Sequence, residues 1–527
     1  MSLRARRLLI LLILLVPSAQ FAWRCRRMPE FGYLHDDGIF FVTAKSLTQS
    51  SYRIPSLPEN PPQTKFPPLY PLYLSMIWRI NPNFPANLSV ATAMNWIVLA
   101  ILLVLAFLIF RRCGFPEKSS WWMTAALGLN PYVILFGTRM FSEIFFTSFV
   151  LAVFLALSRG GIRMAILAGI LAGAAYLSRT AGIALLVSVP AFLILWKQKE
   201  GLRRAIAFSV AMSPFVAGWM LWTRAHAVPS GDPTLIYYTD YIRYQLLNVG
   251  FDNLAVVLWK NLDQILYGMG SLVLPKVADS LPVKILTQVI AVAMISGVVR
   301  LVRRKIAADY ALFALISTGI LALWHFPPNE RFVVPLYPLL LAGLITELAH
   351  LAKMLRAAFG HKDMGQRVVA AMFSGVVLAV FGIALVLQFY TTFVYLKASS
   401  DQKAAKLRDL ETAYSWIAAN LPSSATVLSY DDPLLYLYTG RRGNYLPLLP
   451  RWWYAEDHRS IIDAYRNVAT YCRSRGLDYV YFTSEDLDRE VGPDDREQIA
   501  ESIKDNPELT PVFHSGIGVL YKVAYQK

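Results

Sequence analysis

The chain has 527 residues, of which 56% are hydrophobic and 16% are charged, and its mean hydropathy is +0.42. Because soluble domains carry roughly a quarter of charged residues, this composition predicts a membrane protein and excludes disordered and collagen-like chains. The three cysteines, Cys25, Cys113 and Cys472, show no metal-ligand spacing and are too few for a disulfide-stapled secreted scaffold. Lys and Arg exceed Asp and Glu by 16, an excess that either a nucleic-acid partner or basic cytoplasmic loops would explain.

Apolar runs long enough to cross a bilayer, about 17 to 25 residues, recur along most of the chain. The N-terminal run follows Arg4, Arg6 and Arg7 and lacks a clear small-residue cleavage site, so we interpret it as an uncleaved first span. Further runs occupy residues 88–110, 118–137, 140–158, 162–178, 180–197, 203–224, 283–302, 307–326, 332–353 and 367–395. The expected fold is mainly α, a multipass bundle of about eleven transmembrane helices.

The loops on one side of these spans are basic. Counted from a cytoplasmic N-terminus, alternate connections contain Arg111, Arg112, Lys118, Arg159, Arg163, Lys197, Lys199, Arg203, Arg204, Arg300, Arg303, Arg304, Lys305, Lys353, Arg356, Lys362 and Arg367. The positive-inside rule therefore predicts an inner (cytoplasmic) membrane protein with its N-terminus in the cytoplasm and its C-terminus outside. Because these loops account for most of the positive charge, no nucleic-acid partner is expected.

Three long segments remain on the outer side, at residues 23–86, 225–282 and 399–527. The last of these combines helical stretches at 402–420 and 461–475 with β-rich runs at 425–430, 479–483 and 511–523. We therefore expect a transmembrane catalytic module over residues 1–398, with the first two segments as its outer loops. A small extracytoplasmic α/β domain is expected over residues 399–527.

The first outer segment carries two groups of charged residues near the membrane face. Asp36 and Asp37 precede a helical pattern, where aspartates also serve as helix N-caps. Lys65 begins the string Lys-Phe-Pro-Pro-Leu-Tyr-Pro; its ammonium either snorkels to the interface or holds a phosphate as a point charge. The residues alone leave both alternatives open at each position.

Ionisable residues also interrupt the apolar runs. Arg139 and Glu143 are expected one helical turn apart at the outer end of a span, and Arg179 directly follows the next span. His325 and Arg331 occupy another outer turn. The ordinary explanations for such ionisable residues are that they neutralise each other, cap helices or lie in solvent. Charged residues inside spans, however, cost roughly 3 kcal/mol each and tend to mark functional sites. The pattern predicts one outer cavity with acids for chemistry and cations for an anionic ligand.

These strings, in this order and at these membrane positions, resemble the GT-C superfamily of polytopic glycosyltransferases. The similar branch contains protein O-mannosyltransferases and bacterial lipid A aminoarabinose transferases. The resemblance covers residues 1–395 and an appended outer domain, and it is carried by Asp36-Asp37, Lys65 to Pro71, Ser142-Glu143 and Leu177 to Thr180. Gly38 and Ile39 stand where aminoarabinose transferases carry an arginine, so that particular sugar is not implied.

The resemblance implies that the chain transfers one sugar from a polyprenyl-phosphate donor to an acceptor outside the cytoplasm, with inversion at the anomeric carbon. Such a transfer needs a carboxylate that accepts the acceptor's proton; Asp36 is the first choice, with Asp37 or Glu143 assisting or binding sugar hydroxyls. The departing lipid phosphate needs fixed cations. The candidates for binding phosphate or substrate are Lys65, Arg139, Arg179, His325 and Arg331.

No cofactor is expected. A lipid-linked donor needs neither a nucleotide-sugar site nor a Gly-rich phosphate loop, and the sequence shows neither. Clustered acids would also suit a divalent metal, but the abundance of cations favours a metal-free phosphate site.

Two other classes of protein explain part of the pattern. A transporter or flippase of a lipid-linked or anionic substrate also places charges within spans, but the sequence shows neither inverted repeats nor paired broken helices near the midplane. A non-catalytic membrane scaffold would explain the outer segment at residues 399–527, but it would give the acids and cations no function. A glycosyltransferase accounts for spans, acids and cations together, with a lipid, a glycan or a protein as the acceptor.

Overall fold

The structure, a computed structural model, describes residues 3–32, 34–240, 242–244, 249–276, 280–359, 364–483, 486 and 491–525. Lys362, one of the predicted cytoplasmic residues, lies outside the described residues. Contacts divide the chain into two compact units. The helical unit comprises Met1–Arg24, Ala93–Gly218 and Leu258–Ser399, and the α/β unit comprises Cys25–Thr92, Trp219–Val257 and Ser400–Lys527. The sequence suggested a division near residue 398, whereas the α/β unit also includes most of the first two outer segments.

Helices dominate the chain. The first ten are α1 (Leu3–Arg24), α2 (Asp36–Leu47), α3 (Leu69–Ile80), α4 (Leu88–Arg112), α5 (Glu117–Gly128), α6 (Pro131–Thr138), α7 (Ser142–Ser158), α8 (Ile162–Ser178), α9 (Ile183–Leu195) and α10 (Gly201–Ala225). They are followed by α11 (Pro233–Thr239), α12 (Leu254–Ser271), α13 (Leu281–Arg303), α14 (Ala308–Ala322), α15 (Glu330–Val333), α16 (Tyr337–Phe359), α17 (Met364–Tyr390) and α18 (Leu396–Asn420).

Among the described residues, six helical stretches are long and apolar enough to cross a membrane, and the bent pair α6–α7 makes a seventh. Three predicted spans correspond instead to shorter apolar helices, Ile162–Ser178, Thr180–Leu195 and Ala308–Ala322. A 17-residue helix such as α8 is roughly 25 Å long, which is less than the ~30 Å hydrocarbon core of a bilayer. The mainly α membrane architecture is confirmed, but the count of about eleven long spans is not exact.

The predicted span at 118–137 is broken in two. The side chain of Asn130 accepts hydrogen bonds from the backbone N–H groups of Tyr132 (3.0 Å) and Val133 (3.2 Å), and so caps a new helix in which Pro131 is the first residue. The chain then bends by 105° between α6 and α7. This bend places Glu143 in the first turn of α7.

The last predicted span is longer than expected. It joins the predicted helix at 402–420 in one helical stretch, Met364–Asn420, of 57 residues. A π-helical turn at Thr391–Tyr395 separates α17 from α18. Elsewhere in the helical unit, α13 and α16 approach closely at Gly297 and Gly343. A Cβ on Gly297 would lie 1.8 Å from the carbonyl oxygen of Gly343, so glycine permits this approach.

The C-terminal part of the α/β unit confirms the predicted small α/β domain. Its strands are β1 (Thr426–Leu428), β2 (Arg442–Asn444), β3 (Tyr479–Thr483), β4 (Leu509–His514) and β5 (Gly518–Val523), and its helices are α19 (Asp432–Thr439), α20 (Pro450–Tyr454), α21 (His458–Arg466), α22 (Val468–Arg475) and α23 (Pro493–Lys504). The sheet order is β2-β1-β3-β5-β4. The first three strands in this order pair in parallel, and the last two add antiparallel.

The strand β2 was not predicted. It is only three residues long, Arg-Gly-Asn, and has no apolar alternation. It pairs with β1 at the position where Gly443 lies opposite Val427. A side chain at Gly443 would place its Cβ 1.7 Å from the Val427 carbonyl oxygen, so the close approach of the two strands requires glycine.

The α/β unit draws its core from segments that are far apart in the sequence. Ile39, Ile54 and Leu57 of the first outer segment form one buried cluster with Tyr238 and Tyr445. These five residues come from the first outer segment, the middle segment and the C-terminal part of the chain. The two outer segments are therefore packed parts of this unit.

Candidate active site

The two adjacent acids at the start of α2 have different environments. Asp37 is 2% exposed, and its two carboxylate oxygens accept hydrogen bonds from the backbone N–H groups of Gly32 (3.0 Å) and Gly38 (2.9 Å). Asp36 is partly exposed. Asp37 therefore holds the local backbone, and Asp36 is the acid that remains accessible.

Lys65 is the cation next to this acid. Its side chain is 5% exposed, and its ammonium nitrogen lies 3.9 Å from the ring centroid of Tyr237 and 5.2 Å from that of Phe66. Burial lowers the pKa of Lys65 from 10.5 to about 8, and the negative charge of Asp36 opposes this shift. Gln63 fixes the local backbone, because its side-chain oxygen accepts from the N–H groups of Lys65 (2.9 Å) and Phe66 (3.1 Å).

A buried polar network, not singled out in the sequence, adjoins this pair. His35 Nε2 lies 2.7 Å from Asp432 Oδ1, and His35 Nδ1 lies 2.9 Å from the Tyr237 hydroxyl. Tyr238 donates its hydroxyl proton to the same Asp432 oxygen at 2.5 Å. Burial and the nearby Asp432 hold the pKa of Tyr238 well above its ordinary value, so the phenol keeps this proton.

In the helical unit, three of the predicted residues come together around one carboxylate oxygen. Glu143 is 1% exposed, and its Oε1 accepts hydrogen bonds from Arg179 Nη1 and Arg331 Nε. Arg179 also donates to the Ser142 hydroxyl at 2.9 Å. Since Glu143 lies in the first turn of α7, the positive end of the helix dipole further stabilises its negative charge.

Aromatic rings line these two arginines. The guanidinium carbons of Arg179 and Arg331 lie 5.6 Å and 5.8 Å from the Phe332 ring centroid, and that of Arg331 lies 4.9 Å from the ring of Phe141. Two guanidinium groups share one carboxylate, which leaves an excess of one positive charge in this cluster. Guanidinium groups placed in this way are suited to a phosphate or another oxyanion.

The expected pairing of Arg139 with Glu143 on one helical turn is wrong. Arg139 lies between α6 and α7 in an extended conformation, with φ −114° and ψ 169°, because the helix is interrupted there. It is 2% exposed; its guanidinium lies 5.7 Å from the ring of Phe21, and its carbonyl accepts a hydrogen bond from Asn95 at 2.8 Å. Glu143 pairs instead with arginines that are distant in the sequence.

Two further ionisable residues of the helical unit are His325 and Lys276. His325 is buried, and its ring packs edge-on against Phe326 at 4.6 Å. Lys276, which the sequence did not indicate, forms an ion pair with Glu330 at 2.5 Å. Glu330 directly precedes Arg331 in the sequence. The negative charge of Glu330 is balanced by Lys276, which comes from another loop.

No group of three or more His, Cys, Asp or Glu side chains that could hold a metal ion occurs in the part of the chain that the structure describes. The site residues instead form an acid–lysine pair in the α/β unit and an arginine–glutamate cluster in the helical unit. The first can accept a proton beside a cation, and the second can bind an anion.

The sequence matches no protein-family model and no curated protein sequence. Its fold does match solved structures. The aminoarabinose transferase ArnT from Cupriavidus metallidurans, bound to undecaprenyl phosphate, superposes with a TM-score of 0.55 over 99% of this chain and 98% of that chain, at 12% sequence identity. An oligosaccharyltransferase from Archaeoglobus fulgidus, tethered to an acceptor peptide containing the NVT sequon, gives a TM-score of 0.51 at 12% identity, over 97% of this chain and 73% of that chain.

Both proteins are GT-C glycosyltransferases. This chain has the GT-C fold. The match to ArnT covers nearly the full length of both chains, so the GT-C likeness includes the C-terminal sheet as well as the helices. The resemblance that the short sequence strings indicated is thereby confirmed for the fold.

Proposed function

We propose that this GT-C protein is a membrane glycosyltransferase that moves one sugar from a polyprenyl-phosphate donor to a hydroxyl of an extracytoplasmic acceptor, with inversion. The observation that carries the proposal is the full-length GT-C fold shared with ArnT, whose structure holds undecaprenyl phosphate. The acid–lysine pair of the α/β unit by itself contains the two kinds of group that this chemistry needs, a carboxylate and a cation.

Asp36 is the proposed general base. In the transfer, the acceptor oxygen forms a bond to the anomeric carbon while its proton passes to the Asp36 carboxylate. The bond between the anomeric carbon and the phosphate oxygen breaks, and its electron pair leaves with the lipid phosphate. Asp36 suits this role better than Asp37, because Asp36 is partly exposed, whereas Asp37 is 2% exposed and holds the local backbone.

Cations stabilise the charge that grows on the departing phosphate. In the α/β unit the candidate is Lys65, whose ammonium is buried against aromatic rings and is influenced by the charge of Asp36. In the helical unit the candidates are Arg179 and Arg331. We assign Glu143 to holding these two guanidinium groups in place rather than to accepting a proton, because it is buried between them.

The proposal is tested by comparing the mass spectra of cell-envelope glycans from cells with and without this protein. We expect one class of glycan, glycolipid or glycoprotein to lose a single sugar when the protein is absent. The Asp36→Asn variant, expressed at the wild-type level, should fail to restore that sugar. Identical envelopes with and without the protein would contradict the proposed function.

A purified-protein assay tests the donor. The full chain is incubated with an envelope extract and with undecaprenyl-phosphate sugars one at a time, and the release of undecaprenyl phosphate is followed by mass spectrometry. We expect one donor to be consumed at the same rate with and without EDTA, since lysine and arginine supply the positive charge in this proposal. Activity that EDTA removes and a divalent metal restores would contradict the metal-free site.

A further inference from the structure

The backbone immediately before Asp36 is strained. His35 has φ 62° and ψ −45°, and the N–H of Asp36 donates to the carbonyl of Leu34 at 2.6 Å. This is a γ-turn of the rare kind with positive φ at its centre. L-residues with side chains rarely adopt this conformation, which persists only where the surrounding structure enforces it.

The side chain of His35 is held at both ring nitrogens. His35 Nε2 shares a hydrogen bond with Asp432 Oδ1 (2.7 Å), and Nδ1 shares one with the Tyr237 hydroxyl (2.9 Å). The side chain of Asp432 is 0% exposed, and that of His35 is 5% exposed. Tyr238, which donates to Asp432, in turn accepts a hydrogen bond from the backbone N–H of Tyr445 at 3.2 Å.

The side chain of Pro433, in the C-terminal part, also packs directly on the first turn of α2. A Cβ on Gly38 would lie 2.9 Å from the Cβ of Pro433, the residue after Asp432. Glycine is thus needed at this position for α19 to reach the strained turn. Asp432 and Pro433 lie in the first turn of α19, so one element contacts both His35 and Gly38.

Burying a carboxylate is unfavourable unless it is paired and hydrogen-bonded. The second oxygen of Asp432, Oδ2, has no hydrogen-bond partner among the described residues. An asparagine would fill nearly the same space without burying a charge. The carboxylate therefore points to a role beyond filling the core.

We propose that Asp432, acting through His35, is a positioning residue: the pair fixes the strained turn and so aims the Asp36 carboxylate. This inference rests on the proposed function, because it takes Asp36 as the base. It gives the C-terminal part of the chain an indirect, positioning role in catalysis through contacts within the α/β unit. Neither residue is required to touch the substrate.

The kinetic test uses the purified full chain and the undecaprenyl-phosphate sugar that the wild type consumes. We expect Asp432→Asn to lower kcat roughly 10- to 100-fold, because a misplacement of about 1 Å at a reacting group has effects of that size. The KM for the donor and the affinity for undecaprenyl phosphate should stay within twofold, because no phosphate-binding cation is removed. His35→Gln, whose amide can still donate to Asp432, should retain more activity than His35→Ala.

Asp478→Asn is the matched control. Asp478 also lies in the C-terminal part, where its carboxylate accepts from the backbone N–H of Thr426 at 3.0 Å, and its loss perturbs the sheet rather than the turn before Asp36. Wild-type kcat in Asp432→Asn would overturn the proposal. So would an equal fall of kcat in Asp432→Asn and Asp478→Asn, or in His35→Gln and His35→Ala, because either result would indicate a general effect on folding.

Histidine NMR separates this inference from the proposed function. With ¹⁵N-labelled histidine, the signal of His35 is the one among seven histidines that disappears in His35→Gln, and we expect a proton on Nε2 that Asp432→Asn alters and Asp478→Asn does not. A His35 signal that ignores Asp432→Asn would overturn the pairing. A wild-type signal showing the pair, in a chain that consumes no donor, would overturn the proposed function and with it the catalytic purpose of the pair.

Discussion

We predict that the buried ammonium of Lys65 makes binding of the proposed lipid-phosphate donor depend on pH. Its pKa falls from 10.5 to about 8 on burial, and each pH unit corresponds to about 1.4 kcal/mol. Keeping Lys65 charged in the unliganded chain at neutral pH therefore costs about 3 kcal/mol. A phosphate bound beside the ammonium would stabilise the charged form and raise the pKa of Lys65 again.

Proton linkage gives the direction in which the affinity for the phosphate changes with pH. The complex binds the Lys65 proton more tightly than the unliganded chain does, so binding takes up a proton and affinity falls as pH rises. From pH 7 to pH 9.5 the unliganded lysine loses nearly all of its charge, and affinity for undecaprenyl phosphate should fall roughly 30-fold. The phosphate itself, with a second pKa near 6, keeps its charge throughout. Stability of the unliganded chain has the opposite dependence: the unfolded chain binds more protons between pH 8 and pH 10.5, so stability rises with pH there.

The assay measures binding of undecaprenyl phosphate to the purified chain by native mass spectrometry at pH 7, 8, 9 and 9.5. Lys65→Met removes the charge at similar side-chain length, so affinity should be weak and independent of pH. Lys45→Met is the control, because Lys45 is a half-buried lysine of the same unit that lies 5.3 Å from the ring of Trp78. Wild-type affinity that stays constant within twofold across this range, or a Lys65→Met variant that keeps the full pH dependence, would refute the argument.

The two adjacent acids should differ in effect: Asp36→Asn should lower turnover by about 100- to 10,000-fold. Asp37→Asn should lower stability by about 1–3 kcal/mol, because an amide can accept only one of the two backbone hydrogen bonds; thermal unfolding and steady-state kinetics of both variants check this, and equal kinetic losses would contradict it. Glu143→Gln leaves two arginines without their carboxylate and should destabilise the chain by about 3–5 kcal/mol, which an unchanged melting temperature would disprove. Reporter fusions at Lys199 and at the C-terminus should report opposite compartments, and a shared compartment would exclude the predicted topology.

Local sequence information was enough for the fold class. Apolar run length and the alternation of the C-terminal strands depend only on neighbouring residues, so the mainly α membrane part and the small α/β domain could be predicted. The short strings around Asp36, Lys65 and Glu143 were enough to indicate the GT-C fold. Span count and helix breaks were less predictable, because the capping of α6 by Asn130 and the 105° bend after it interrupt a stretch that reads as apolar throughout.

The partners of the site residues were decided by tertiary structure alone. Sequence spacing paired Glu143 with Arg139, four positions away, whereas the folded chain pairs it with arginines 36 and 188 positions away. Asp432 meets His35 across 397 positions, and no local pattern marks either residue. Hydropathy reports which residues leave water, but which charges share a carboxylate depends on how distant segments pack together, and that is settled only when the chain folds.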